Sequence, residues 1–123
     1  MRLSTLRIGS RGAATAELVM VLPLLVAVAL ALVWLLEVGA CQMRVVDAAR
    51  ETARAMARGD GVDAAVAAGE RIGPSGTSIT VDDGGDQVVA RASAVVRGPG
   101  GLLGFLPGAD LHATATALAE ADR

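Results

Sequence analysis

The chain of 123 residues contains few of the side chains that build metal and redox sites. A single cysteine, Cys41, excludes an internal disulfide and a cysteine-based metal site. With His112 as the only histidine, the soft ligands are too few for a zinc site. Aspartates at 82, 83 and 86 lack the glutamate that closes a calcium loop. The sequence therefore predicts neither a bound metal nor a cofactor.

Aromatic residues are equally scarce, with only Trp34 and Phe105 present. Any folded part must pack with aliphatic side chains, which bury less area per residue, so its core is expected to be modest. No basic run with interleaved aromatic residues exists, and nucleic acid is therefore not a predicted partner. No serine has the histidine and aspartate context of a nucleophilic triad, and no paired carboxylates indicate a cleft. The sequence does not predict an enzyme.

One long apolar segment organises what is present. Leu18 to Leu36 contains no charged residue, and at about 1.5 Å per residue it forms roughly 28 Å of helix, close to the thickness of a hydrocarbon core. We therefore predict a transmembrane helix over 13–36, in contact with the lipid bilayer. Pro23 removes one helical hydrogen bond, which predicts a mild kink that membrane helices tolerate.

The charges on the two sides of this segment differ. Arg2, Arg7 and Arg11 precede it without an acidic residue among them, whereas Glu37 follows it and the next arginine is Arg44. The positive-inside rule then predicts a single-pass protein of the cytoplasmic membrane. Residues 1–12 would form a basic leader in the cytoplasm, and everything after the span would be extracytoplasmic.

Beyond the span, the pattern predicts that the helix continues over 37–59 outside the membrane. Apolar residues recur there at steps of three and four, which is typical of one buried helix face: Val38, Cys41, Val45, Ala49, Ala53 and Met56. Charged residues off this stripe predict two ion pairs at i, i+3 spacing, Asp47 with Arg50 and Glu51 with Arg54. Gly59 is a predicted C-terminal cap.

Residues 60–123 are predicted to form a small head. Residues 62–71 indicate a short helix, and the period then changes to two, which predicts strands over 78–81, 87–97 and 111–118 with a turn at 83–86. A three-stranded antiparallel sheet on one amphipathic helix makes the fold class α+β. The long N-terminal helix would thus extend from the membrane into this head.

Three features of the outer part leave their roles open. The segment 98–108 contains five glycines and two prolines around an apolar tip, and it could dock a partner or a membrane surface or fold over the head as core. Trp34 is expected to anchor the span at the interface. His112 alternates with apolar neighbours on a strand and is expected on the surface.

Glu17 lies at the mouth of the span, where a carboxylate loses hydration if the chain moves into lipid or into a bundle of helices. An ionised group buried there without a partner would cost several kcal/mol. One interpretation gives Glu17 a charged partner in an assembly. The other places it in the first helical turn, where the helix dipole and the headgroup region accommodate it.

Residues 11–17, Arg-Gly-Ala-Ala-Thr-Ala-Glu, followed by a span that contains Pro23, resemble the processing region of type IV pilin-like proteins. Together with residues 47–59 they resemble more closely the TadE-like minor pilins, or pseudopilins, of the tight-adherence (Tad) secretion system. Leu18 stands where major Flp-type pilins carry tyrosine, which favours a minor component. The resemblance covers residues 11–60 well, and residues 61–123 match only in general outline.

The resemblance implies a maturation step and a set of partners. A prepilin peptidase would cut between Gly12 and Ala13, so that Glu17 becomes the fifth residue and pairs with the N-terminal amine of a neighbouring subunit. The partners would be other pilin-like subunits and membrane proteins of Tad assembly. The implied function is that of a membrane-anchored pseudopilin in a Tad-type pilus or secretion apparatus.

Cys41 carries the main alternative. Residues 38–41, Val-Gly-Ala-Cys, resemble a lipobox, which would make the protein an envelope lipoprotein or an anchored binding module; Glu37 and the length of the apolar run argue against it. Cys41 could also be a small packing residue on the helix stripe or form an intersubunit disulfide. A secreted protein with a Sec signal is a further alternative.

Overall fold

The computed structural model describes residues 10–120 of the chain, and it confirms the predicted α+β fold class. Two helices come first, α1 (Ser10–Ala57) and α2 (Val62–Ile72), and three strands follow, β1 (Ser78–Asp83), β2 (Gln87–Val96) and β3 (Ala109–Leu118), with a 3-10 turn at Gly101–Leu103. Most of the predicted basic leader, residues 1–9, lies outside the described residues, as do residues 121–123 of the head.

The described chain divides into two compact units, one ending at Val33 and the other beginning at Trp34. In the first unit, α1 begins three residues before the predicted Ala13 and remains helical on both sides of Pro23. Its apolar side chains are exposed, and its most apolar window has a mean hydropathy of 2.9 with no residue buried. A helix that leaves this much apolar surface uncovered fits a single-pass membrane anchor.

In the second unit, the predicted apolar stripe of α1 is confirmed. Val45, Ala49 and Ala53 are buried, and Val38, Cys41 and Met56 at its margins are half-buried. Val45 and Ala49 join the central core cluster, whose other members come mostly from the sheet: Ala48, Ile79, Ala92, Ala94 and Leu111. The core is therefore built from small aliphatic side chains, as the scarcity of aromatic residues predicts.

The sheet has the antiparallel order β1-β2-β3, so β2 is the central strand. Alternate residues of β2 are buried against the helices, namely Val88, Ala90, Ala92 and Ala94, and the residues between them face outward. The strands extend beyond the predicted bounds by two residues at the end of β1 and two at the start of β3. At the β1–β2 turn, Gly85 has a φ of 84° and its N–H donates to Asp83 Oδ1 at 3.0 Å.

Gly59 ends α1 as predicted, with a φ of 86° that favours glycine. Its N–H donates to Met56 O at 2.9 Å, and the N–H of Asp60 donates to Ala55 O at 3.0 Å. These two hydrogen bonds form a Schellman motif, which satisfies carbonyls that the helix end would otherwise leave free.

One of the two predicted ion pairs is confirmed and the other is wrong. Asp47 and Arg50 lie 3.7 Å apart on the surface. Glu51 pairs with Arg58 at 3.5 Å instead of with Arg54. The Schellman turn places the carboxylate of Asp60 3.1 Å from Arg58, which fixes the guanidinium within reach of Glu51. The hydrogen bond to Asp60 raises the pKa of Arg58 above its ordinary value.

Candidate functional site at the start of α1

Glu17 is the eighth residue of α1, because the helix begins at Ser10. The first turn of the helix contains no acidic residue. The interpretation that places Glu17 in the first turn is therefore wrong for the chain with its leader, since the stabilisation by the helix dipole falls off within that turn. The carboxylate needs another source of stabilisation wherever it leaves water.

The neighbours of Glu17 on the helix supply no cation. Residues one turn away are Ala13 and Val21, and Arg11 lies six residues earlier, outside the i±3 and i±4 positions that share a face. The side chain is exposed, and within residues 10–120 it forms no salt bridge. A charged partner for Glu17 must come from outside the described part of the chain.

Gly12 and Ala13 lie in the first turns of α1, and both are exposed. Between described residues near them, one side-chain hydrogen bond runs from Thr15 Oγ1 to Arg11 O, at 2.9 Å. A Cβ placed on Gly12 would meet no atom of the described residues within 4 Å. Among these residues, neither packing nor a positive φ requires glycine at this position.

Cys41 lies in the second unit, inside the continuous helix α1. It is a free cysteine with a half-buried side chain that packs against the core cluster. Gln42 beside it donates from Nε2 to His112 O at 3.0 Å, which ties this part of α1 to β3. Cys41 is thus part of the helix face that carries the head.

The remaining candidates have simple surroundings. His112 is exposed, as predicted, and takes part in the contact with Gln42 only through its carbonyl.

Trp34 is half-buried, and its indole N–H is buried without a hydrogen-bond partner among the described residues. A depression of about 600 Å³ beside His112 also contains Ser78, Ser93 and Arg97, but no hydrogen bond links their side chains within residues 10–120.

Two residues that hold the head together were not singled out from the sequence. Arg44 donates from Nε to Ile72 O at 3.3 Å and from Nη2 to Gly73 O at 3.2 Å, so a surface arginine of α1 caps the C-terminal end of α2. Gly69 lies buried where α2 meets α1. Glycine is unfavourable within a helix, so its position inside the predicted helix 62–71 is the sequence feature that indicates a close contact.

The fold and the apolar helix define the class: a small α+β head carried on a helix that can serve as a single membrane anchor. Residues 12–54 match the family model described as TadE-like protein. This part of the chain, about a third of it, is similar to TadE-like proteins, and the predicted resemblance is confirmed there. No curated protein and no solved structure matches the chain.

Proposed function

We propose that the protein is a membrane-anchored pseudopilin that takes part in assembling a Tad-type pilus or secretion apparatus. The observation that carries this proposal is the extent of the TadE-like match, which starts at Gly12 and ends at Arg54. It covers the proposed processing site, Glu17, the apolar segment and most of the helix stripe that carries the head. The proposed role is structural, and no catalytic residue is assigned.

The helix geometry gives Glu17 a defined relation to a processed N-terminus. After cleavage behind Gly12, the free amine on Ala13 and the carboxylate of Glu17 lie one turn apart, about 6 Å along the axis. If a neighbouring subunit is displaced by that distance along the helix axis, its N-terminal amine lies beside the carboxylate of Glu17. In a poorly hydrated bundle the two charges attract strongly and relieve each other's desolvation. The pair then fixes the register of subunits more than it adds stability.

The partners and the orientation follow from this mechanism. Cleavage requires a prepilin peptidase at the cytoplasmic face, where the positive-inside rule places Arg11 and the rest of the basic leader 1–12. The span 13–36 would pack with other pilin-like subunits and Tad assembly membrane proteins, through small residues such as Ala27 and Ala31. The continuation 37–59 and the head 60–123 would then be extracytoplasmic.

The surroundings of Cys41 favour this proposal over an envelope lipoprotein. Lipidation would remove the chain before Cys41, and with it the larger part of both α1 and the TadE-like match. It would also require a lipid on a sulfur that is half-buried against the core cluster. We therefore assign Cys41 a packing role.

The proposal is tested by comparing two carboxylate variants in cells that express the native secretion genes. Glu17→Gln removes the charge at the start of the apolar segment, and Glu37→Gln removes the exposed charge at its other end. We expect both proteins to insert into the membrane in equal amounts, and only Glu17→Gln to reduce the yield of assembled pili or secreted product. Equal yields from Glu17→Gln and the wild type would contradict the assembly role of Glu17.

A further inference from the structure

The connection between β2 and β3 is the longest apolar stretch of the chain outside the α1 segment. From Gly98 to Ala109, twelve successive residues carry no polar side chain, and Arg97 and Asp110 border them. In the rest of the head, charged or hydroxyl side chains interrupt the sequence at short intervals. A surface loop of this composition is unusual in water, where connections normally carry polar residues.

This apolar loop, residues 98–109, is folded and closed at its base. Gly98 lies against Leu106 O, and a Cβ on Gly108 would lie 3.0 Å from Val96 O, so the two ends approach as only glycines permit. Inside the loop, the N–H of Gly104 donates to Gly101 O and the N–H of Leu106 donates to Leu103 O, each at 3.0 Å. The loop therefore presents a defined surface.

Its apolar side chains divide between the interior and the exterior. Leu103 is buried and fixes the loop to the head. Phe105 is 75% exposed, although it is the only phenylalanine in the chain. The head has few large side chains for its core. Phe105 could bury more apolar area than any other side chain of the head, yet it remains in water.

The loop lies at the end of the head where the apolar segment of α1 ends. β3 runs alongside α1 in the same direction, because Gln42 contacts His112 and the N–H of Glu120 reaches Ala57 O at 3.4 Å. Counting back from the Gln42 contact, Leu36 lies about 9 Å earlier along the helix. Gly108 lies about 13 Å earlier along the strand. The loop therefore begins level with Trp34 and Leu36.

We propose that the apolar loop inserts Phe105 into the bilayer interface around the Leu36 end of the span, as a second membrane contact of the head. The proposal rests on α1 spanning a bilayer, as proposed above. We assign a lipid surface as the partner because the loop lies at the same height along α1 as Leu36, where the apolar segment ends. A phenyl ring that enters the headgroup and acyl boundary buries apolar area that is otherwise left in water.

The test measures membrane depth on the full chain, reconstituted into nanodiscs of phosphatidylethanolamine and phosphatidylglycerol. With Cys41→Ala as background, a single spin label is attached after Phe105→Cys, Leu118→Cys or Ala27→Cys. Leu118 is the matched control because its side chain is 76% exposed, yet it lies at the opposite end of β3. Ala27 reports on the span itself.

The proposal predicts that label 105 is more accessible to oxygen than to a water-soluble nickel complex, as label 27 is, and that label 118 shows the reverse. If label 27 is in lipid while label 105 behaves like label 118, the loop proposal is overturned and the anchor stands. If label 105 is shielded from both reagents, a protein contact covers Phe105 and the lipid proposal fails. If label 27 is aqueous, both proposals fail.

Discussion

Gly69 of α2 packs directly against the hydroxyl group of Thr52 in α1. A Cβ on Gly69 would overlap Thr52 Oγ1 and would lie 2.6 Å from Ile79 Cδ1 and 2.8 Å from Ala48 O. Thr52 is fully buried, and its hydroxyl is satisfied within its own helix by a 3.0 Å hydrogen bond to Ala48 O. Because the polar group is already paired, the glycine can cover it without leaving a donor free. The head depends on this close approach.

Gly69→Ala should destabilise the head. Overpacking typically costs about 1–3 kcal/mol, and the gain in helix propensity offsets about 1 kcal/mol of it. A net loss of up to about 2 kcal/mol would accelerate amide exchange of β2 by as much as roughly 30-fold. Hydrogen exchange with mass spectrometry on the membrane-reconstituted chain measures this. Gly39→Ala is the control, because a Cβ there meets nothing within 4 Å; equal exchange in the two variants would contradict the contact.

Gly59→Ala should loosen the end of α1 for a different reason. The space around Gly59 is open, but its φ of 86° costs a residue with a Cβ about 1–2 kcal/mol. Faster exchange of the Asp60 amide, which donates to Ala55 O, is the expected result. Gly59→Asn should restore part of the protection because asparagine tolerates this conformation. If alanine protects this amide as well as asparagine does, the Schellman cap does not hold the helix end.

Arg44→Ala should release the C-terminal end of α2. The variant loses two hydrogen bonds to carbonyls, at Ile72 and Gly73, and since the guanidinium is exposed we expect a cost of about 0.5–1.5 kcal/mol. Exchange should accelerate in the peptide that contains α2. Arg54→Ala on the same helix is the control, because that exposed side chain makes no hydrogen bond within the described residues. Matching effects of the two substitutions would rule out capping by Arg44.

Local patterns made most of the fold predictable. The stripe through Val45 and Ala49 and the alternation in β2 each follow from the period of one element, and both are confirmed. The pairing of Glu51 was predicted wrongly because its partner depends on the turn after α1. That turn brings Asp60 to Arg58, and i, i+3 spacing alone contains no information about it.

Contacts between elements were harder to predict. The crossing that requires Gly69, and the cap that Arg44 provides, depend on where α2 docks. The composition of the apolar loop fits a core segment and a docking segment equally well, and only the structure shows that Leu103 is buried and Phe105 is exposed. The sequence predicts that Glu17 requires a stabilising partner when its carboxylate leaves water. The structure adds that, while the leader is attached, the helix begins at Ser10 and Glu17 lies beyond its first turn.

The most direct test of the proposed function is the intact mass and N-terminal sequence of the protein isolated from the envelope of cells that express the native secretion genes. The account predicts a chain that begins at Ala13, and retention of the leader in a Gly12→Leu variant, whose helix has room for the side chain. A chain that begins at a diacylated Cys41, or one that keeps Met1 in the presence of active prepilin peptidase, would contradict it.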